Sequence, residues 1–399
     1  MAKILFINVA SHGHINPTLA IAKELVERGN DVIYLLPEKF ESKFKNINIQ
    51  VQLCKNILDV GNLKYDKINK ILKTYLEGFE ELFDFITENK EKIDLIIYDQ
   101  VLFFTELIAK KFNIPTVNSI TTFVINEDYF KEILGISTNE VFSLLQNDIE
   151  IKEIFSRICN KYKLDLSKLN EFLSTKGTIN IVYTSKYFQP YSEEFGNEYK
   201  FIGPSIGDRK EDFDLSKMIN INNQKMKIYI SLGTIYNNSI EFYKKCFEAF
   251  ENFDMDFILS VGKNTDIKNL GYIPNNFSVY DYVPQLEILK YANVFISHGG
   301  MNSSNEALYF QVPLLLVPQS VDQPIVAKRV EELNAGIILN RENISSEILR
   351  NSLTRLLEHD IYKHSCKELS KSFKNAGGYR EALLHIENIL NNNLNFKCS

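Results

Sequence analysis

The chain contains no tryptophan, and only 5 cysteines and 5 methionines among its 399 residues. Without an indole, large aromatic contacts fall to 20 Tyr and 28 Phe, most of which read as core filling. The cysteines, at positions 54, 159, 246, 366 and 398, are scattered, odd in number and never spaced Cys-x-x-Cys. That pattern argues against a zinc site and a disulfide framework, and fits a reduced, cytoplasmic compartment. No apolar run is long enough to span a bilayer, and Met1-Ala2-Lys3 leads straight into a strand pattern without a signal peptide. No stable membrane insertion is expected. Basic stripes are missing too: the formal net charge is −6, so nucleic acid is not the expected partner. No internal repeat is visible, and the only low-complexity tract is the Asn-rich stretch Asn391–Asn395. No Gly-x-Gly-x-x-Gly follows the first strand, which argues against a nicotinamide dehydrogenase.

What is present is ordinary globular composition, 45% hydrophobic and 24% charged, in a chain long enough for two domains. The first half alternates strand and helix. Strand patterns fall at Ile4–Val9, Asp31–Leu36, Ile49–Leu53, Leu95–Tyr98 and Thr116–Ser119, with a helix predicted over Pro17–Arg28 and closed by Gly29. This order implies an α/β fold with a parallel, doubly wound sheet. Residues 126–176 lack strand signals and read as a mostly helical insertion, either lining a ligand crevice or covering the core. A strand pattern returns at Thr178–Thr184. Residues 1–205 form the expected first domain, and the polar stretch 206–225 the linker. A second doubly wound domain is expected over 226–377, with strands at Lys227–Leu232, Phe257–Val261, Val294–Ser297 and Leu314–Val317. An amphipathic helix over 378–399 closes the chain.

The richest segment is Ser297–Gln323, SHGGMNSSNEALYFQVPLLLVPQSVDQ. A strand delivers His298, Gly299 and Gly300 to the start of a helix, and such a junction builds an anion site: unpaired N–H groups point outward and the dipole favours negative charge. Asn302 and Glu306 share one face of that helix. A carboxylate there suits the hydroxyls of a ribose, since it would repel a phosphate. Asp322 and Gln323, after the next strand, offer groups for further hydroxyls. Diphosphate, ribose and polyol together describe a nucleotide sugar. Ser231-Leu232-Gly233-Thr234 ends another strand and can contact a phosphate or the sugar, though alone it also fits a plain strand-to-helix turn. In the first half, Ser11-His12-Gly13-His14-Ile15-Asn16-Pro17 follows the first strand as a loop at the carboxyl edge of the sheet. Either histidine can take a proton from a hydroxyl near neutral pH, and Asp99, at the end of Leu95–Tyr98, is the natural carboxylate to steady it.

The His-Gly-Gly-x-Asn-Ser-x-x-Glu pattern, followed by Pro and then Asp-Gln, closely resembles the signature of the family-one, UDP-sugar-dependent glycosyltransferases. Tyr282-Val283-Pro284-Gln285 resembles the start of that signature, where the family usually has Trp. The resemblance therefore implies that Tyr282 stacks on the uracil with a smaller ring. Val326-Ala327 departs from the usual Asn-Ala. The loop before Pro17 resembles the family's Gly-His-x-Asn-Pro motif, which implies His14 as the catalytic base and Asp99 as its activator, with His12 the competitor. The resemblance covers almost the full length and is closest to the bacterial branch acting on macrolides and flavonoids.

It implies a GT-B architecture of two facing Rossmann-like domains with a cleft between them. It also implies inverting transfer of a hexose, by family habit glucose, from a UDP-sugar to a hydroxyl of a small-molecule acceptor. No cofactor and no metal are expected, the UDP-sugar being a co-substrate. The implied donor contacts are Ser231, Gly233, Thr234, Tyr282, Val283 and Gln285, then His298, Gly300, Met301, Asn302, Ser303, Glu306, Asp322 and Gln323. The expected partners are UDP-glucose or a related nucleotide sugar and a hydroxylated acceptor, with the chain a monomer or homodimer. Alternatives are a GT-B enzyme using a lipid acceptor or a TDP-sugar, and a non-catalytic helper of the same fold. Asp212-Phe213-Asp214 and Asp254-Met255-Asp256 spell a metal-binding motif but fall in a linker and a turn, so both read as decoys.

Overall fold

A computed structural model describes all residues except 46, 55–67, 103, 125, 127–130, 132–136, 165–176, 208–222, 234–238, 320–321 and 398–399. Two compact units emerge. The first comprises Met1–Ser185, Tyr191–Gly207 and Ala376–Ser399; the second comprises Lys186–Pro190 and Asp208–Asn375.

Among the described residues, the first unit is built on a 7-stranded sheet and the second on a 6-stranded sheet. In the first, β1 (Lys3–Ile7), β2 (Asp31–Leu36), β3 (Gln50–Leu53), β4 (Leu95–Asp99), β5 (Thr116–Ile120), β6 (Ile179–Val182) and β7 (Tyr199–Phe201) lie in the order β3-β2-β1-β4-β5-β6-β7. Every pairing is parallel. Strands β1, β2 and β4 are apolar on both faces because helices cover both. Leu5 and Ile7 pack with the helix Ile68–Asn89, whereas Ile4 and Phe6 pack with the first helix, His12–Glu27, and the closing helix, Tyr379–Lys397. Within the 126–176 stretch, helix Ile149–Tyr162 buries Ile151, Ile154, Phe155 and Ile158 in the same core as Leu5, so this part is a cover.

In the second unit, β8 (Lys227–Ser231), β9 (Asp256–Ser260), β10 (Phe277–Tyr280), β11 (Val294–Ser297), β12 (Leu314–Leu316) and β13 (Gly336–Ile338) lie in the order β10-β9-β8-β11-β12-β13, again all parallel. Each order reverses once, between β1 and β4 and between β8 and β11. Loops diverge at such switch points, leaving a crevice beyond the carboxyl ends of the strands where ligands bind.

The structure departs from the sequence reading in two respects. Strands β7, β10 and β13 were not anticipated, and all three lie at sheet edges, where half-exposed positions dilute the apolar pattern. The first helix starts at His12, not Pro17, so the expected loop is a helical turn. The Ser11 carbonyl accepts the Ile15 N–H at 3.0 Å, closing the turn before the proline. Pro17, inside the helix, has no N–H to donate to the carbonyl four residues back, so the ladder lacks that one bond. No described helix is long and apolar enough to cross a membrane.

Candidate active site

At the switch point of the first sheet, the chain leaves β1 through Asn8 and enters the first helix, which places His14 in its opening turn. Asp99 is the last residue of the adjacent β4 and is fully buried. His14 Nδ1 lies 2.6 Å from Asp99 Oδ2, and the other carboxylate oxygen accepts the Val101 N–H at 2.9 Å. The carboxylate is therefore clamped by its own backbone, while the imidazole keeps 19% of its side chain exposed. Thr121 Oγ1, just past β5, is 3.0 Å from the same Nδ1.

The turn carrying His14 is braced from below. The Asn8 amide donates to the His14 carbonyl at 3.4 Å, to Thr18 Oγ1 at 2.9 Å and to the Tyr34 hydroxyl. Thr18 in turn donates to the Ile15 carbonyl at 2.8 Å. Burial keeps this cluster uncharged: desolvation holds the Tyr34 phenol well above the usual range, and the Thr18 hydrogen bond opposes that shift only in part. The positive end of a helix dipole opposes an imidazolium by roughly 0.3–1 kcal/mol. A hydrogen bond to a charged partner contributes about 1.5–3 kcal/mol, so Asp99 outweighs it. His12, at the exposed start of the helix, meets the Phe40 ring edge-on at 5.1 Å.

In the second unit, β8 and β11 are neighbours in register, Ser231 opposite Ser297. Each serine accepts the N–H of the glycine two residues on: Ser231 from Gly233 at 3.4 Å, Ser297 from Gly299 at 3.3 Å. Gly233 and Gly299 both have φ of +80°, which side chains rarely adopt. Between the turns sits His298. A Cβ on Gly233 would come within 2.7 Å of its Cε1, and one on Gly300 within 2.5 Å of its Nε2. An imidazole thus fills the space into which side chains at these two positions would project. Burial lowers the His298 pKa to about 4, so it is neutral at pH 7, and its Nδ1 has no partner among the described residues.

Gly300 caps the helix Met301–Tyr309 with an extended backbone, leaving the first N–H groups directed past β11. Glu306 is buried on this helix, and Gln285 Nε2 donates to its Oε2 at 2.7 Å and to Ser303 Oγ at 3.2 Å. Asn302 and Ser303 are partly exposed in the first turn. Met301 and Val283 are buried in the core, so only their backbones can meet a ligand. Tyr282 is 49% exposed. Asp322 is partly exposed at the N-cap of helix Gln323–Glu332, and Gln323 is buried, its Oε1 accepting the Gln319 N–H at 2.8 Å. Thr234 lies outside the described residues, as do Asp212 and Asp214. Asp254 pairs with Lys225 at 2.5 Å and Asp256 accepts from Asn223 at 2.7 Å, so these two carboxylates serve separate partners.

Sequence reasoning missed Thr121, Asn8, Thr18 and Tyr34. Threonine and asparagine at strand ends carry no chemical signature of their own, and the only available signal for Thr121 was position, two residues beyond Ser119, which faces Asp99.

Residues 244–377 match the family described as erythromycin biosynthesis protein CIII-like, C-terminal domain. An uncharacterized UDP-glucosyltransferase, YdhE of Bacillus subtilis, is 33% identical over 98% of this chain and 99% of its own length. The NDP-glycosyltransferase YjiC of the same organism is 33% identical over 96% of each. Among solved structures, the glycotransferase of kitacinnamycin superposes with a TM-score of 0.83 at 24% identity, covering 97% of this chain and 98% of that one. The calicheamicin glycosyltransferase CalG4 gives 0.82 at 23% identity, over 98% and 99%. These two likenesses establish the GT-B fold.

Proposed function

The chain belongs to the bacterial macrolide and nucleoside-diphosphate-sugar glycosyltransferases, and from that premise we propose that it transfers a hexose from a UDP-sugar, with inversion, to a hydroxyl of a small natural product. The observation that carries the reading is the 2.6 Å contact between His14 Nδ1 and buried Asp99. It orients the imidazole as a base: Nδ1 holds its hydrogen toward the carboxylate, and Nε2 takes the proton of the acceptor hydroxyl. The acceptor oxygen bonds to the anomeric carbon as the bond from that carbon to UDP breaks. Asp99 then steadies the imidazolium. General-base assistance of this kind contributes on the order of 10²–10⁴ in rate.

The second unit holds the donor. The helix beginning at Met301 presents its N–H groups to the diphosphate, and Glu306, steadied by Gln285, meets the ribose hydroxyls. His298 contributes here as a neutral hydrogen-bonding ring, because burial keeps it uncharged at pH 7. The charge growing on the leaving UDP is met by fixed dipoles, the arrangement that commonly supplies the largest share of rate enhancement, so no metal is required. Tyr282 stacks on the uracil, and Asp322 and Gln323 face the sugar hydroxyls, for which glucose is the favoured fit.

The test is acceptor-dependent nucleotide release by the purified protein, using UDP-glucose, UDP-galactose, UDP-GlcNAc and dTDP-glucose against a panel of phenols and macrolides. Release of UDP with a β-linked product from the α-linked donor is expected. No acceptor-dependent release from any of these donors, or full activity in H14A, overturns the reading.

A further inference from the structure

We infer that Thr121 is a positioning residue for the His14 imidazole, an inference that rests on His14 being the base. Neutral His14 has one hydrogen on Nδ1, and two oxygens lie within bonding distance of that atom: Asp99 Oδ2 at 2.6 Å and Thr121 Oγ1 at 3.0 Å. They come from adjacent strands. Asp99 is paired with Ser119 in the β4–β5 register, and Thr121 lies two residues beyond Ser119, on the same side of an extended chain. Thr121 is buried and Asp99 fully so, which keeps bulk water from replacing either oxygen.

The roles of the two oxygens follow from charge. A bare Nδ1 lone pair held 2.6 Å from a carboxylate would be repelled, so the hydrogen sits between them. The Thr121 hydroxyl is then the second acceptor of a shared hydrogen, and its own hydrogen points elsewhere. A single contact to Asp99 fixes the distance of the ring from β4 but leaves it free to swivel about that contact. An acceptor on a second strand defines a plane and removes the swivel. The rest of the assembly is already fixed: Asp99 Oδ1 is held by the Val101 N–H at 2.9 Å, and the His14 carbonyl by Asn8 at 3.4 Å. Ring orientation decides where the Nε2 lone pair points. Thr121 also places an oxygen dipole against the Nδ1–H as positive charge grows on the ring.

The experiment compares T121V, which keeps the shape and removes the oxygen, with T121S, which keeps the oxygen. T121A replaces T121V should the latter fail to fold. T121V is expected to lower kcat by ~10-fold, the equivalent of one hydrogen bond, with donor KM unchanged, and T121S to restore it. In the free protein labelled with ¹⁵N-histidine, the Nδ1–H proton, assigned by its loss in H14Q, should move and exchange faster with water in T121V but not in T121S. Unchanged kcat together with an unchanged Nδ1–H signal overturns the inference. Equal loss in T121V and T121S does so as well, because packing rather than the oxygen would be responsible. A raised donor KM at constant kcat would instead make Thr121 a donor contact and also overturn it. If wild-type protein transfers no sugar, the base reading falls by itself, while the Nδ1–H comparison still decides whether Thr121 holds the ring.

Discussion

An alanine at position 300 would set its Cβ 2.5 Å from Nε2 and 3.2 Å from Cδ2 of His298. Comfortable contact between such atoms is about 3.5–4.0 Å, so the ring must withdraw by roughly 1 Å. It has little room to do so, because its other flank lies against Gly233, where an added Cβ would meet Cε1 at 2.7 Å. The backbone itself is not the obstacle: Gly300 has φ −64° and ψ 147°, values alanine adopts freely. The penalty therefore comes from overpacking, typically about 1–3 kcal/mol, plus a loss of up to about 1 kcal/mol from placing alanine at an N-cap. G300A should lose about 2–3 kcal/mol in urea unfolding and weaken UDP binding in calorimetry, since the displaced ring abuts the helix start. The decisive measurement is the double variant H298A/G300A. With the ring gone the overpacking vanishes, so the double variant should be more stable than the sum of the single losses predicts, by about 1–3 kcal/mol. Strict additivity, or a G300A protein within about 0.5 kcal/mol of wild type, would refute the idea that these glycines make room for His298.

Three further outcomes are expected. H14A should lose ~10²–10⁴ in kcat while UDP affinity by calorimetry stays as in wild type; a parallel loss of binding would argue against a base. E306A should weaken UDP binding by ~10–100-fold, the equivalent of one hydrogen bond to a charged group, and undiminished affinity would remove its ribose role. His298 predicts a pH dependence: its folded pKa of about 4 lies below the unfolded value of 6.5, so the unfolded chain binds more protons between them. Stability is then fully present above pH 6.5 and falls as pH drops toward 4, by at most about 3 kcal/mol and less where solvent reaches the ring edge. Urea unfolding of wild type and H298N at pH 7 and pH 4.5 checks it, and equal pH slopes in the two proteins would count against the buried neutral imidazole.

How much of this was readable in advance follows the strength of the local patterns. The alternation of apolar strands and capped helices announced two parallel sheets, because buried parallel strands are apolar on both faces and leave unbroken runs such as Leu95–Tyr98. His14 and Asp99 were legible as neighbours because each lies at the carboxyl end of a strand at the switch point, the edge where the fold gathers functional residues. Edge strands such as Gly336–Ile338 escaped, being too short and too exposed to carry a pattern. Pro17 misled, since a proline marks a probable boundary, whereas Ser11 and Asn8 stabilise a turn ahead of it. The Gln285–Glu306 bond and the Thr121–His14 contact span 21 and 107 positions, and no local rule reaches across such distances. The wedging of His298 between two glycines belongs to the same class: it exists only once β8 and β11 lie side by side.

The closing helix has a consequence for how the protein is made. Leu383, Ile386 and Leu390 are buried against Ile4, Phe6 and the first helix, a contribution of roughly 1.5–3 kcal/mol per side chain to a unit otherwise encoded almost wholly in the opening half. During synthesis these side chains leave the ribosome after the second unit. The amino-terminal half must therefore wait, with that apolar surface uncovered, until Leu383–Leu390 have emerged, while the second unit can mature before it.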